Sequence, residues 1–205
     1  MKKYRLTTTL ARLRKHGACI VDCWNHRYHD YWFDDLLQSL GPKWHEHRSI
    51  NLLHLLEPLG AWRTCWCFRA TVQDSTIPRV LIAADMAQSV LKYFTEKNPN
   101  DKRPARAIRA ARAFAAGKID ETVACCAAKK ADWAGDHACY AADPAWAASY
   151  AAYTTVDAED LYSTSYHGAA ASINTVPCGS TNADYDAAKQ KERAKQARII
   201  RKWLK

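Results

Sequence analysis

Four side chains capable of binding a metal fall within eleven residues: Cys19, Cys23, His26 and His29, spaced C-x3-C-x2-H-x2-H. Thiolate and imidazole are the ligands of structural zinc. On a straight helix, however, Cys19 and His29 would stand about 15 Å apart along the axis. Zinc–ligand bonds reach only about 2.0–2.3 Å, so one helix cannot supply all four. Two of them could instead pair with His45, His47 or the Cys65/Cys67 pair. The competing reading is of buried thiols and amphipathic histidines, and the expectation is of no bound metal and no cofactor.

Nucleophilic chemistry finds less support. There is no nucleophile elbow, no glycine-rich phosphate loop and no H-E-x-x-H, the patterns that would give a hydroxyl, thiol or metal-bound water its partners. The sequence therefore predicts a protein without enzymatic activity. Two groups suit binding better. Trp24, Tyr28, Tyr31, Trp32 and Trp44 form an aromatic cluster of the residue types favoured as protein-interface anchors. The segment from Asp184 to Lys205 holds eight basic and three acidic residues, a net of +5 within a chain whose formal charge is +9. Its Arg193, Arg198, Arg201 and Lys202 are candidates for contact with an acidic protein surface or, in a salt-sensitive and sequence-independent way, with nucleic acid. Aromatic residues are not interleaved among these charges, which counts against a stacking platform for single strands.

A third group is predicted to be structural. Arg103, Arg106, Arg109 and Arg112 recur every three residues, and on a helix such a row wraps about half the surface. Cations in a first helical turn oppose the macrodipole unless acidic groups answer them. Asp101 and Asp85 are the partners expected for this row, so Asp85, Asp101, Arg103 and Arg106 are read as internal fixings of a helix pair.

The elements that position these groups are helical. At 205 residues the chain can bury a substantial core, and only seven glycines and seven prolines argue against a many-turned β fold. Thr7, Thr8 or Thr9 can cap a first short helix ending at Gly17. Ile20, Trp24, Tyr28, Tyr31, Trp32 and Leu36 recur at helical spacing between Ala18 and Leu40, before Gly41-Pro42. Ser49 is the expected cap of a short helix through Leu52–Leu56, closed by Pro58 and Gly60, with a further helix over Ala61–Ala70. From Pro78, the residues Val80, Ala84, Ala87, Leu91 and Phe94 make an apolar stripe. Asp101 and Pro104 start the next helix and Gly117 ends it. Asp120 caps another through about Ala142, Asp143-Pro144 begins the next, and Val156-Asp157 one more, weakened by Gly168. Between these alanine-rich helices, Trp133, Tyr140, Trp146, Tyr150 and Tyr153 are expected to fill gaps.

The expected organisation is a helical domain over 1–173, a linker over 174–182 and a basic helix over 183–205. Within the first, an aromatic, cysteine-rich part (1–76) precedes the helix hairpin (77–117) and the alanine-rich helices (118–173). The final helix either docks through Tyr185, Ala188, Ile200 and Trp203 or projects away. No signal peptide and no run of about 20 apolar residues stands in the sequence, so a cytoplasmic location and reduced thiols are expected.

Asp85, Val90-Leu91, Phe94, Asn100-Asp101-Lys102-Arg103-Pro104, Arg106, Ile108, Ala111-Arg112 and Gly117 form a pattern that resembles alanine-rich phage and prophage proteins and the related bacterial "putative immunity protein" family. K-H-G-A-C at Lys15–Cys19, L-L-H-L-L at Leu52–Leu56 and W-C-F-R-A at Trp66–Ala70 extend the likeness. Here the alanine tract is shorter, is interrupted by Thr, Ser and Tyr, and follows an unusual His/Trp/Tyr cluster. The resemblance implies a helical cytosolic protein of a mobile element and carries no catalytic residue. Together these readings predict an all-α multi-helix bundle with an alanine-rich segment and a basic C-terminal helix. Its expected function is to bind and modulate a host or competing protein as an inhibitor, anti-defence factor or immunity partner. A basic nucleic-acid-binding accessory protein is the alternative.

Overall fold

In the computed structural model, residues 3–17, 32–42, 44–138, 142–157, 159–173, 176 and 180–205 are described. The chain is 75% helical, with nine α-helices among those residues and one two-stranded sheet. The all-α reading is thus met. Trp24, Tyr28, Tyr31 and the Cys19–His29 group lie outside the described residues.

Strand β1 (Thr7–Thr8) pairs antiparallel with β2 (Ile50–Asn51), Thr7 opposite Asn51 and Thr8 opposite Ile50. That pairing keeps the chain extended up to Asn51 and moves the expected helix cap from Ser49 to Asn51. The Asn51 side chain accepts the Leu53 N–H at 2.9 Å, opening α3 (Leu52–Cys67). Thr9 caps α1 (Leu10–Lys15) by accepting the Arg12 N–H. Helix α2 spans Trp32–Leu40.

The helical backbone breaks at Gly60, two residues after Pro58, as expected; α3 is two helical runs that meet there at a kink. Pro58 brings no N–H to the helix ladder. Gly60 takes φ 69° and ψ 178°, a left-handed backbone that favours glycine. The helix then resumes through Trp62 and Arg63 and ends in a 3-10 turn over Phe68–Ala70.

Helix α4 (Thr76–Lys97) lies at the centre, against α5 (Arg103–Ala115), α7 (Ala142–Tyr153), α8 (Glu159–Ile173) and α9 (Asn182–Trp203). Its expected stripe is buried throughout: Val80, Ala84 and Ala87 are closed to solvent, with Leu91 and Phe94 nearly so. Helix α6 (Glu121–Asp136) is capped by Asp120, which accepts the Val123 N–H at 2.9 Å. The helix stops at Asp136, short of the expected Ala142.

Alanine sets the closeness of the α6–α7 pair. Ala124, Ala128 and Ala131 on α6 and Ala145, Ala148 and Ala152 on α7 are all fully buried, and the two helices are in contact. The Ser149 hydroxyl donates to the Ala128 carbonyl at 3.1 Å. Trp146 fills a gap as expected: its indole lies where a Cβ on Gly135 would come within 2.4 Å. Trp133 does not. It is 64% exposed on the far side of α6, where α7 offers it no groove.

Gly168 leaves α8 unbroken because the helix uses it as a close-approach point. A Cβ there would meet the Gln196 amide at 2.9 Å. Gln196 is fully buried; it accepts the Ser165 hydroxyl at 2.7 Å and donates to the Ser165 carbonyl at 2.8 Å. Thr181 and Asp184 form a reciprocal capping box at the start of α9.

Helix α9 docks. Glu192, Gln196, Ile200 and Leu204 are buried along it, against α3, α4 and α8. Glu192 accepts from Ser89 at 3.1 Å and from Lys195 at 3.2 Å. At its end the Tyr4 N–H donates to the Trp203 carbonyl at 2.8 Å, and the Lys205 N–H to the Tyr4 carbonyl at 3.0 Å. No helix among the described residues is long and apolar enough to cross a membrane.

Candidate functional site

The kink at Gly60 opens a cleft. Past the glycine, α3 turns Trp62 and Arg63 toward α9, leaving a space of about 400 Å³ between Leu59–Arg63 and the Gln190–Ala197 face. A second chamber of about 150 Å³ continues beneath α8, between Ser165–Ala170 and Lys189–Gln196. Trp62 and Arg193 line both chambers.

Aromatic rings build one wall. Trp62 stacks on Tyr162 with centroids 4.8 Å apart and planes at 22°, and Tyr166 leans toward it at 6.5 Å. The Arg193 guanidinium sits over the Trp62 ring, 5.8 Å from its centroid, within the range of a cation–π contact. Tyr166 itself is 55% exposed at the mouth.

Charge on the walls is of one sign. Arg63, Lys189 and Arg193 line the two chambers, and no aspartate or glutamate stands among the described lining residues. Burial makes the Arg193 guanidinium easier to deprotonate than usual, and repulsion from Arg63 adds to that shift; Tyr162 offsets it in part. Two donors are also unanswered: Trp62 Nε1 and Arg193 Nε are buried and have no hydrogen-bond partner. Leaving a buried donor unsatisfied costs about 1–3 kcal/mol.

The other basic residues of α9 are distributed differently. Lys202 Nζ bonds Asp85 Oδ2 at 2.6 Å, and Arg201 lies 3.5 Å from Glu57 on the surface. Arg198 is exposed. Of the four tail cations singled out by sequence, Arg193 faces the cleft and Lys202 is held by the fold.

Asp85 is the fold's main ionic joint. Besides Lys202, its carboxylate accepts from Arg112 at 3.0 Å and from the Trp203 indole at 3.0 Å, tying α4 to α5 and α9. Burial works to raise its pKa, but the hydrogen bonds from Lys202, Trp203 and Arg112 outweigh that and hold it below the ordinary carboxylate range. Asp101 clamps the start of α5, accepting the Arg103 main-chain N–H at 2.9 Å and its side chain at 2.6 Å. These bonds lower the Asp101 pKa, with a further contribution from the Arg106 charge. Arg106 is exposed.

Of the aromatic cluster, Trp32 is 1% exposed and packs edge-on against Trp66 at 5.4 Å; its ring is committed to the core. Trp44 is half-buried beneath the Arg48 guanidinium, 4.5 Å away. Among the remaining candidate metal ligands, Cys65 and Cys67 are buried free thiols, and burial pushes the Cys65 pKa up to about 12. His45 and His47 are exposed. No three His, Cys, Asp or Glu side chains among the described residues group to hold a metal.

Trp62, Arg63 and Tyr166 did not stand out in the sequence. The available signal was the Pro58-x-Gly60 pair inside a helical pattern, which moves the following Trp-Arg off the line of the preceding helix.

A family model described as Imm-5 like putative immunity protein matches residues 78–201, which takes in α4 to α9 and the α8–α9 side of the cleft. No curated protein and no solved structure matches the chain.

Proposed function

This chain belongs to the Imm-5 like putative immunity protein family, and we propose that it is a non-enzymatic, immunity-type protein of a phage or other mobile element. In this reading it binds a protein of the bacterial host or of a competing element in the cytoplasm and neutralises it by occupying a surface. The cleft between α3, α8 and α9 carries the proposal. Its lining is basic, with Arg63, Lys189 and Arg193, and the buried donors Trp62 Nε1 and Arg193 Nε lack an acceptor. A protein partner with an acidic surface answers both needs, since complementary charge steers encounter and fixes register.

The test begins with capture of a binding protein from host lysate on the immobilised full chain, followed by its identification. The purified partner is then assayed for its own activity with and without the chain. Stoichiometric inhibition supports the reading. Binding to nucleic acid with a steep salt dependence, and no protein complex, would establish the basic accessory role in its place.

A further inference from the structure

The geometry points to a carboxylate-binding site at the Arg193–Trp62 pair, which takes a glutamate or aspartate side chain from an extended acidic segment of a partner protein. This deepens the immunity reading and rests on it. Arg193 Nε and Trp62 Nε1 are hydrogen-bond donors on neighbouring groups, both buried and both without an acceptor. A carboxylate supplies acceptor oxygens for such donors, and the guanidinium charge strengthens the bond it makes. In this structure the two nitrogens are screened from solvent, so binding requires both side chains to shift toward the cleft.

Three further features select a carboxylate on a peptide. The stacked Trp62–Tyr162 pair provides an aromatic wall for an aliphatic stem. Lys189 adds a second cation in the inner chamber. Repulsion between Arg63 and Arg193 is relieved by an anion placed against the guanidinium. The two adjoining chambers, about 400 and 150 Å³, give room for a side chain and the main chain that carries it.

The test is a nuclear magnetic resonance titration of the full-length protein, following the Trp62 indole N–H assigned by its loss in Trp62→Phe. The probes are a blocked tetraglutamate peptide, the matching tetraglutamine peptide and inorganic phosphate. Tetraglutamate is expected to move the Trp62 resonance saturably, and tetraglutamine to leave it in place. Arg193→Gln should weaken tetraglutamate binding by about tenfold or more, with Arg193→Lys between that variant and the native protein. No movement with tetraglutamate, equal movement with tetraglutamine, or a lysine variant as tight as the native chain overturns the site. Phosphate saturating the same shift at equal concentration overturns the peptide carboxylate as the occupant.

The two readings fail separately. A captured partner that binds Trp62→Phe/Arg193→Gln as tightly as the native protein removes the carboxylate site and leaves the immunity reading standing. A native chain that forms no protein complex, while tetraglutamate shifts Trp62 as expected, supports the site and removes the immunity reading.

Discussion

Replacing Asp85 with alanine should loosen the bundle at the junction of α4, α5 and α9. The substitution removes an acceptor shared by Arg112, Lys202 and Trp203. The two cations are 40% and 48% exposed, so water takes over most of their hydrogen bonding, and each contact contributes only about 0.2–1 kcal/mol. The Trp203 indole is half-buried and loses its acceptor, at about 1–3 kcal/mol. The expected loss is therefore about 3 kcal/mol, and Tm should fall by about 6–12 °C for a chain of this length. Asp85→Asn keeps one acceptor oxygen and should lose about half as much. Denaturant unfolding followed by far-ultraviolet circular dichroism measures the loss, and hydrogen exchange should rise first in α9. An Asp85→Ala loss below about 0.5 kcal/mol, or one matched by the exposed control Arg106→Ala, would refute the joint, because ordinary surface changes stay within that range.

The same carboxylates set an acid limit. Asp85 and Asp101 have folded-state pKa values below the ordinary 3.8, so their contribution is complete above that pH and is lost as pH falls through the lowered values. The stability gap between native protein and Asp85→Ala should be level near neutrality and narrow below pH 3.8, as pH-dependent denaturant melts will show. Gly135→Ala puts a methyl group into the Trp146 indole, 2.4 Å away, and should cost about 1–3 kcal/mol by overpacking. Combining it with Trp146→Phe should restore part of that loss in thermal melts. In timed alkylation mapped by mass spectrometry, exposed Cys126 should react promptly, whereas buried Cys65, with its pKa near 12, should react only on unfolding.

Much of the helical frame was legible because its signals are local. The α4 stripe, the Asp120 cap and the Asp101–Arg103 clamp each lie within a few turns of helix. The Asp85–Arg112 link was also legible, because the charge row demanded an acidic partner from the neighbouring helix. The cap of α3 was displaced from Ser49 to Asn51 by pairing with Thr7–Thr8, a contact between residues far apart in the chain that periodicity does not encode. Trp133 was expected between helices and lies exposed because helix phase alone does not say which face finds a neighbour. The cleft was hidden for the same reason. Residues 62, 166 and 193 come from three helices, and only the kink at Gly60 and the docking of α9 bring them together.

The dissociation constant of the chain with its captured partner, measured for the native protein and for Arg63→Glu/Arg193→Glu, tests the central claim most directly. The account predicts a weakening on the order of a hundredfold with the thermal melt retained. An unchanged constant in a folded double variant would show that the partner binds elsewhere and would contradict it.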